Sequence, residues 1–236
     1  LLQQGEEGRR RARAFLYWLR DLRQNHYRRI KWLMAGSIGL DTLAARLRLT
    51  DSINDLEPFP LDAFSEDSAL RFLDKLAVSY DLPLSDPLRR AIIARVGWPV
   101  PYYLQLMFSH LRDESLDSSQ PPDAAMIEAV FEKLLGNSYR THFDYWHQRL
   151  EEELGQPEAG QAALILTRIS RSTAGETWET LTQAMSVVSQ DPQRRDQVLN
   201  YLLDVLRSDG YLVEREGRFA FRLEWLRVYW QRRFAA

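Results

Sequence analysis

Apolar residues recur at helical spacing over residues 6–24, where Ala12, Phe15, Leu16, Leu19 and Leu22 share one stripe and arginines take the other. That spacing predicts an amphipathic helix. The pattern then changes at residues 30–35, a short unbroken apolar run stopped by Gly36, which suits a buried central strand of a parallel sheet. A helical turn or two fits 41–49, and Pro58 and Pro60 force their neighbours to run extended. Ser65 before Glu66 and Asp67 places a cap and negative charge where a helix begins, so a helix is predicted to about 79. Three more helices follow at 86–96, 101–112 and 123–135, with 113–123 read as a surface loop. Beyond Gly136, helices are predicted at 137–154, 159–170, 178–187 and 194–209. Asp209-Gly210 ends the last of these; 211–214 and 218–222 read as two strands joined by Arg215-Glu216-Gly217, and 224–233 returns to helix. Three helices followed by a β-hairpin is the order of a winged helix-turn-helix. No repeat of 20–50 residues interrupts this series.

Composition narrows the classes. A chain of 236 residues, 45% hydrophobic, can bury a substantial core in one large or two or more small domains. Its net charge of -2 supplies no global attraction to nucleic acid or to an acidic membrane, so such binding must come from a local patch. There is no cysteine, which removes disulfides, thiolate zinc sites and cysteine nucleophiles and makes the cytoplasm the expected compartment. The most apolar stretch, residues 96–108, contains two prolines and falls short of the roughly 20 residues of a membrane helix; no membrane partner is expected. The start Leu1-Leu2-Gln3-Gln4 lacks the order of a signal peptide and reads as that of an excised fragment or a processed product.

Candidate chemistry is sparse. No Gly-x-x-x-x-Gly-Lys-Ser/Thr occurs, and no apolar strand ends in Asp-Glu, the pair that would hold magnesium for phosphoryl transfer. Ser37, at the carboxyl end of the predicted strand, could sense a terminal phosphate or could simply occupy a turn. In Gly97-Trp98-Pro99-Val100-Pro101 a glycine permits close backbone approach, Pro99 can lie against a planar ring such as adenine, and Pro101 can start a helix; a packing corner between helices is the alternative. With 194–209 as a recognition helix, Arg194, Arg195, Gln197 and Asn200 sit early in it and Arg215 and Arg218 on the wing, suitable donors to phosphates and base edges of double-stranded DNA. Interleaved acids, Asp191, Asp196, Asp204, Glu214 and Glu216, make that face mixed. His142 and His147 stand at i and i+5, over 100° apart on a helix, and no metal site is expected. Glu151, Glu152 and Glu153 read as a solvated face. The stripe Tyr139, Phe143 and Trp146 reads as core or interdomain packing, as do Trp225 and Tyr229.

Five segments taken together carry a resemblance: Phe15-Leu16-Tyr17-Trp18-Leu19-Arg20, Leu33-Met34-Ala35-Gly36-Ser37-Ile38-Gly39-Leu40, Leu56-Glu57-Pro58-Phe59, Gly97-Trp98-Pro99 and Phe221-Arg222-Leu223-Glu224-Trp225-Leu226-Arg227. In this order, over nearly the whole chain, they resemble the archaeal-ATPase-like branch of the P-loop NTPases, relatives of the STAND ATPases within the AAA+ group. The resemblance implies a mostly α chain in three parts. Residues 1–62 would be the remnant of an α/β nucleotide-binding sheet, 63–136 a helical lid bundle, and 137–236 a C-terminal winged helix with its β-hairpin. It further implies that Ser37 occupies the sensor-1 position and that Gly97 and Pro99 match the lid Gly-x-Pro that contacts nucleotide; Arg46 and Arg48, in the loop after the sensor strand, are candidates for an arginine finger, with a solvated charged face as the alternative. The parent chain would use ATP and Mg2+ as a nucleotide-driven switch, with a second copy or another protein as partner. The phosphate loop and acidic strand would lie upstream, so these residues alone are not expected to hydrolyse ATP or hold it tightly. A winged-helix module that binds DNA or protein without nucleotide is the alternative.

Overall fold

The structure is a computed structural model that describes residues 5–26, 29–34, 40, 44–45, 47–59, 61–136, 140–188 and 190–235. It is mostly helical, with a small three-stranded antiparallel sheet. The first helix, α1 (Gly5–His26), buries Leu19 and Arg23 against a 3-10 turn at Thr50–Ser52. Arg23 closes this contact: its guanidinium donates to the Ser52 carbonyl at 2.7 Å and to both oxygens of Asp55 at 2.7 and 2.9 Å. Hydrogen bonding by that guanidinium holds the Asp55 carboxyl below its ordinary range.

Between these pieces, the strand expected at 30–35 is not formed by the described residues 30–34. Ile30 instead donates its amide to the His26 carbonyl at 3.0 Å, and Ile30, Trp32, Leu33 and Met34 are exposed. A strand is stable only when a neighbour takes up its amides and carbonyls, and no strand among the described residues pairs with 30–34. Apolar character alone therefore did not make a strand here, and no α/β sheet is present among the described residues.

Four helices follow: α2 (Glu66–Ser79), α3 (Asp86–Val96), α4 (Pro101–Ser118) and α5 (Ala124–Leu135). Ser65 caps α2 by accepting from the Ser68 amide, as the sequence predicts. Asp123 caps α5 in the same way, accepting from Met126 at 2.7 Å. The segment read as a loop from 113 continues α4 to Ser118 instead. Asp113, Glu114 and Leu116 are compatible with helix, the Ser118 hydroxyl donates back to the Glu114 carbonyl at 2.7 Å, and Lys133 of α5 pairs with Glu114 at 3.0 Å. The helix stops where Ser119 adopts a left-handed conformation, φ 54°, ahead of Pro121 and Pro122.

The C-terminal part comprises α6 (Arg140–Leu154), α7 (Glu158–Ser170), β1 (Glu176–Thr177), α8 (Trp178–Met185), α9 (Pro192–Ser208), β2 (Leu212–Arg215), β3 (Arg218–Phe221) and α10 (Glu224–Phe234). The hairpin is in register as Leu212 opposite Phe221 and Arg215 opposite Arg218, and β1 adds to the far edge of β3, giving the order β1-β3-β2. The two-residue β1 is absent from the sequence reading, because two residues carry no alternation to detect.

One hydrophobic core runs from α2 through α10. Helix α10 ties it together: Trp225, Leu226, Val228, Tyr229 and Trp230 are all buried, so the helix is covered on most of its circumference. Trp225 stacks on Phe131 of α5 at 5.4 Å and 16°, Tyr229 stacks on Phe143 of α6 at 5.3 Å, and Trp230 donates its indole N–H to Thr167 of α7 at 3.1 Å. Arg95 of α3 lies over the Phe131 ring, 3.5 Å from its centroid, and bonds Glu128 at 2.8 Å while reaching toward Glu224 at 3.8 Å. The Tyr211 hydroxyl donates to the Trp146 carbonyl at 2.7 Å, and Arg149 faces Asp209 in a buried pair at 3.8 Å. The expected packing roles of Phe143, Trp146, Trp225 and Tyr229 are thus observed; Tyr139 lies outside the described residues.

Because Trp225 is 1% exposed and shared between α5 and α10, Trp225→Ala is expected to cost about 3–5 kcal/mol in chemical denaturation. Trp225→Phe should cost far less, since it keeps the ring against Phe131 and removes a buried indole N–H that has no hydrogen-bond partner among the described residues.

Candidate functional site

Two places in this frame carry candidate site residues predicted from the sequence: the exposed stripe of α9 with its hairpin, and the corner at Gly97-Trp98-Pro99. Helix α9 is set by its first residues. Asp191 accepts from the Gln193 amide at 3.0 Å and the Arg194 amide at 3.4 Å, and Pro192 stands at the first turn, where its missing N–H costs nothing. The helix starts two residues earlier than its apolar spacing suggests, so Arg194 falls in the first turn. Leu199, Leu202, Leu203, Val205 and Leu206 are buried, which turns Arg194, Gln197, Asn200, Asp204 and Arg207 outward along one stripe.

Helix α8 lies against α9 and is positioned by two local devices. Thr177 caps it, accepting from the Thr180 amide at 3.4 Å. Gly175, at φ 77°, lets the backbone come so close to β3 that a Cβ there would sit 2.5 Å from the Phe219 carbonyl oxygen, so only glycine allows β1 to pair. Trp178, the first residue of α8, donates its indole N–H to Asn200 Oδ1 at 3.0 Å.

Charge on this part is unevenly paired. Arg168 bonds Glu176 at 3.2 Å, Arg207 bonds Glu214 at 3.1 Å, Arg227 bonds Glu224 at 2.6 Å and Arg232 bonds Glu132 at 2.9 Å. Arg194, Arg195 and Arg215 have no ion pair among the described residues, and Arg218 donates only to the Gly175 carbonyl at 3.3 Å. Arg195 is half-buried, with a shielded Nε that lacks a hydrogen-bond partner among the described residues. The sequence-predicted residues Arg194, Arg195, Gln197 and Asn200 are therefore on one helix, with Arg215 and Arg218 on the adjoining hairpin. Trp178 was not singled out from sequence; its signal is an aromatic residue directly after a capping threonine, which is weak alone.

The Gly97 corner is a joint. Gly97 ends α3 at φ 77°, and a Cβ there would lie 3.2 Å from the Arg222 carbonyl and 3.4 Å from the Glu224 amide. Trp98 occupies the space over Gly210, whose own Cβ would meet the indole at 3.1 Å, and the Arg222 guanidinium rests 5.4 Å from the Trp98 ring centroid. Burial pushes the Arg222 pKa down, and the Tyr103 hydroxyl beside the corner is pushed up to about 12, chiefly by burial. The Pro99 carbonyl accepts from the Phe64 amide at 3.1 Å, while its ring is half-exposed. Close approach at Gly97 is thus real, and what it approaches is the C-terminal part of this same chain.

Ser37 and Arg46 lie outside the described residues. Arg48 is exposed with φ 57°. His147 is a packing residue, stacked on Phe234 at 4.8 Å and 17°. Among the described residues no group of three or more His, Cys, Asp or Glu side chains is placed to hold a metal ion, and no helix is long and apolar enough to cross a membrane. No family model matches this chain, and no curated protein matches it.

Replacing Gly97 with alanine combines a left-handed backbone with contacts at 3.2 and 3.4 Å to backbone atoms that cannot swing away. A loss of about 1–3 kcal/mol is expected on urea denaturation, with Trp98 fluorescence altered in the folded state.

Proposed function

We propose that α7 to β3 form a winged helix-turn-helix that binds duplex DNA along the exposed stripe of α9, carried on the helical bundle as a platform. The order helix, strand, helix, helix, hairpin supports this reading, as does β3 lying between β1 and β2. The observation that carries it is the pairing pattern. Within the module Arg168 and Arg207 are paired with carboxylates, whereas Arg194, Arg195, Arg215 and Arg218, like Arg171 after α7, have no carboxylate partner among the described residues; the first four, at the start of α9 and on the hairpin, keep their charge for an outside anion. Acids nearby, Asp196, Asp204 and Glu216, limit non-specific affinity and favour a short site over broad coating of DNA.

Duplex binding should weaken linearly on a log–log plot against salt, at about 0.9 per phosphate contact. Replacing Arg194 and Arg195 by alanine should reduce that slope by about 2 and weaken all sequences alike. Retained binding with an unaltered slope, or no binding by the unmodified protein, would overturn the reading.

A second reading is favoured by the Gly97 corner: the chain as part of an AAA+ or STAND-type ATP-binding protein, with helices α2–α5 as its lid. A base resting on the half-exposed Pro99 ring would press on Trp98, which touches Gly210 and Arg222, so the contact would reach the winged helix directly. ATP and Mg2+ belong here to the parent chain, together with Ser37 and an arginine finger from Arg46 or Arg48. The expected partner is a second copy or another protein. ATP titration followed by Trp98 fluorescence, in a chain that includes a phosphate-binding loop, should show saturable change; no affinity there ends this reading.

A further inference from the structure

We propose that Trp178 is a positioning residue that fixes the hydrogen-bonding polarity of Asn200, and thereby the base that α9 prefers. The inference rests on the duplex-binding reading and deepens it. An amide side chain has an oxygen end that accepts and a nitrogen end that donates, and a freely turning asparagine can offer both together to adenine. Asn200 is not free. Trp178 Nε1 lies 3.0 Å from it, and an indole N–H can only donate, so the atom it faces is the oxygen, Oδ1.

The oxygen end is therefore turned toward the start of α8 and held there, and the nitrogen end leads outward on the stripe shared with Arg194 and Gln197. Trp178 is itself held. Thr177 caps α8 immediately before it, Thr177 pairs with Arg218 across the sheet, and the approach of β1 to β3 that fixes both depends on Gly175. The same strand pairing thus places Arg218 beside the residue that orients Asn200. A donor-led side chain on this stripe selects a base edge made of acceptors. In the major groove guanine offers two, O6 and N7, whereas cytosine offers a donor at N4. Asn200 accordingly favours guanine and disfavours cytosine at one position of the bound site.

The test is selection from a pool of 30-base-pair duplexes with a randomised centre, applied to the whole chain and to two variants. The unmodified protein should enrich guanine at one position by about tenfold. Trp178→Phe keeps a ring at the α8 start but releases the amide; that position should fall to less than twofold preference or admit adenine, with thermal melting used to confirm folding. Asn200→Asp keeps an acceptor for the Trp178 indole and replaces the outward donor with a second oxygen, so the preference should turn from guanine to cytosine. Duplex binding with the same base preference in Trp178→Phe and Asn200→Asp as in the unmodified protein overturns the proposal and leaves the winged-helix reading standing. Salt-sensitive binding without any base preference does the same, and failure of the unmodified protein to bind duplexes overturns both.

Discussion

The burial of α10 is the constraint on which the rest of the structure depends. This last helix gathers Glu224, Arg227 and Gln231 on one side, bonded to one another, and divides its aromatic residues among three different elements: Trp225 on α5, Tyr229 on α6 and Trp230 on α7. Such a helix has no stable place at a surface, since each large ring left in water would forgo about 1.5–3 kcal/mol or more. It can be covered only if the bundle and the C-terminal elements close on it from opposite sides. That closure makes one continuous core of what the sequence pattern divides at Gly136, and Arg95, lying on Phe131 and reaching toward Glu224, spans the same boundary.

A continuous core changes what the Gly97 corner can do. A lid joined to a winged helix by a loose linker could rotate independently, and a nucleotide contact would be felt only through the linker. Here the corner is wedged: Gly97 against the backbone at Arg222 and Glu224, Trp98 between Gly210 and the Arg222 guanidinium. Packed interfaces of this sort move as units or repack between discrete arrangements and do not bend gradually. Any switching in which α2–α10 take part is thus a displacement of the whole block or a repacking at Trp98.

Legibility in the sequence followed the range of the forces involved. Helix ends set by adjacent residues were plain: Ser65, Asp123 and Gly210 each declare a terminus through a bond or conformation within a few residues. The hairpin was plain for the same reason, because Glu216-Gly217 and alternation on either side specify it locally. What failed needed distant partners. Residues 30–34 are apolar enough for a buried strand, but no neighbouring strand takes up their backbone groups among the described residues. The helix of Pro101–Ser118 outlasted its predicted end because Lys133, on another helix, meets Glu114. The stripe carrying Arg194, Gln197 and Asn200 was legible from helical periodicity, whereas the hold of Trp178 on Asn200 spans 22 residues and depends on the pairing of β1, which has no periodic signature.

The near-neutral charge of the chain is compatible with an anion-binding face because charge acts locally. At physiological salt, exposed charges more than about 8 Å apart scarcely feel one another, so the total matters less than which arginines have been given carboxylates. The structure gives them to arginines at structural joints: Arg168 beside β1, Arg227 and Arg232 on α10, Arg207 between α9 and β2. At Arg227, whose side chain is 11% exposed, an unpaired guanidinium would carry a desolvation cost that its carboxylate relieves. Arg194 and Arg215 are exposed, where no such cost enforces pairing. Asp196 and Asp204, the acids left near the stripe, lower the local positive potential that Arg194 sets up.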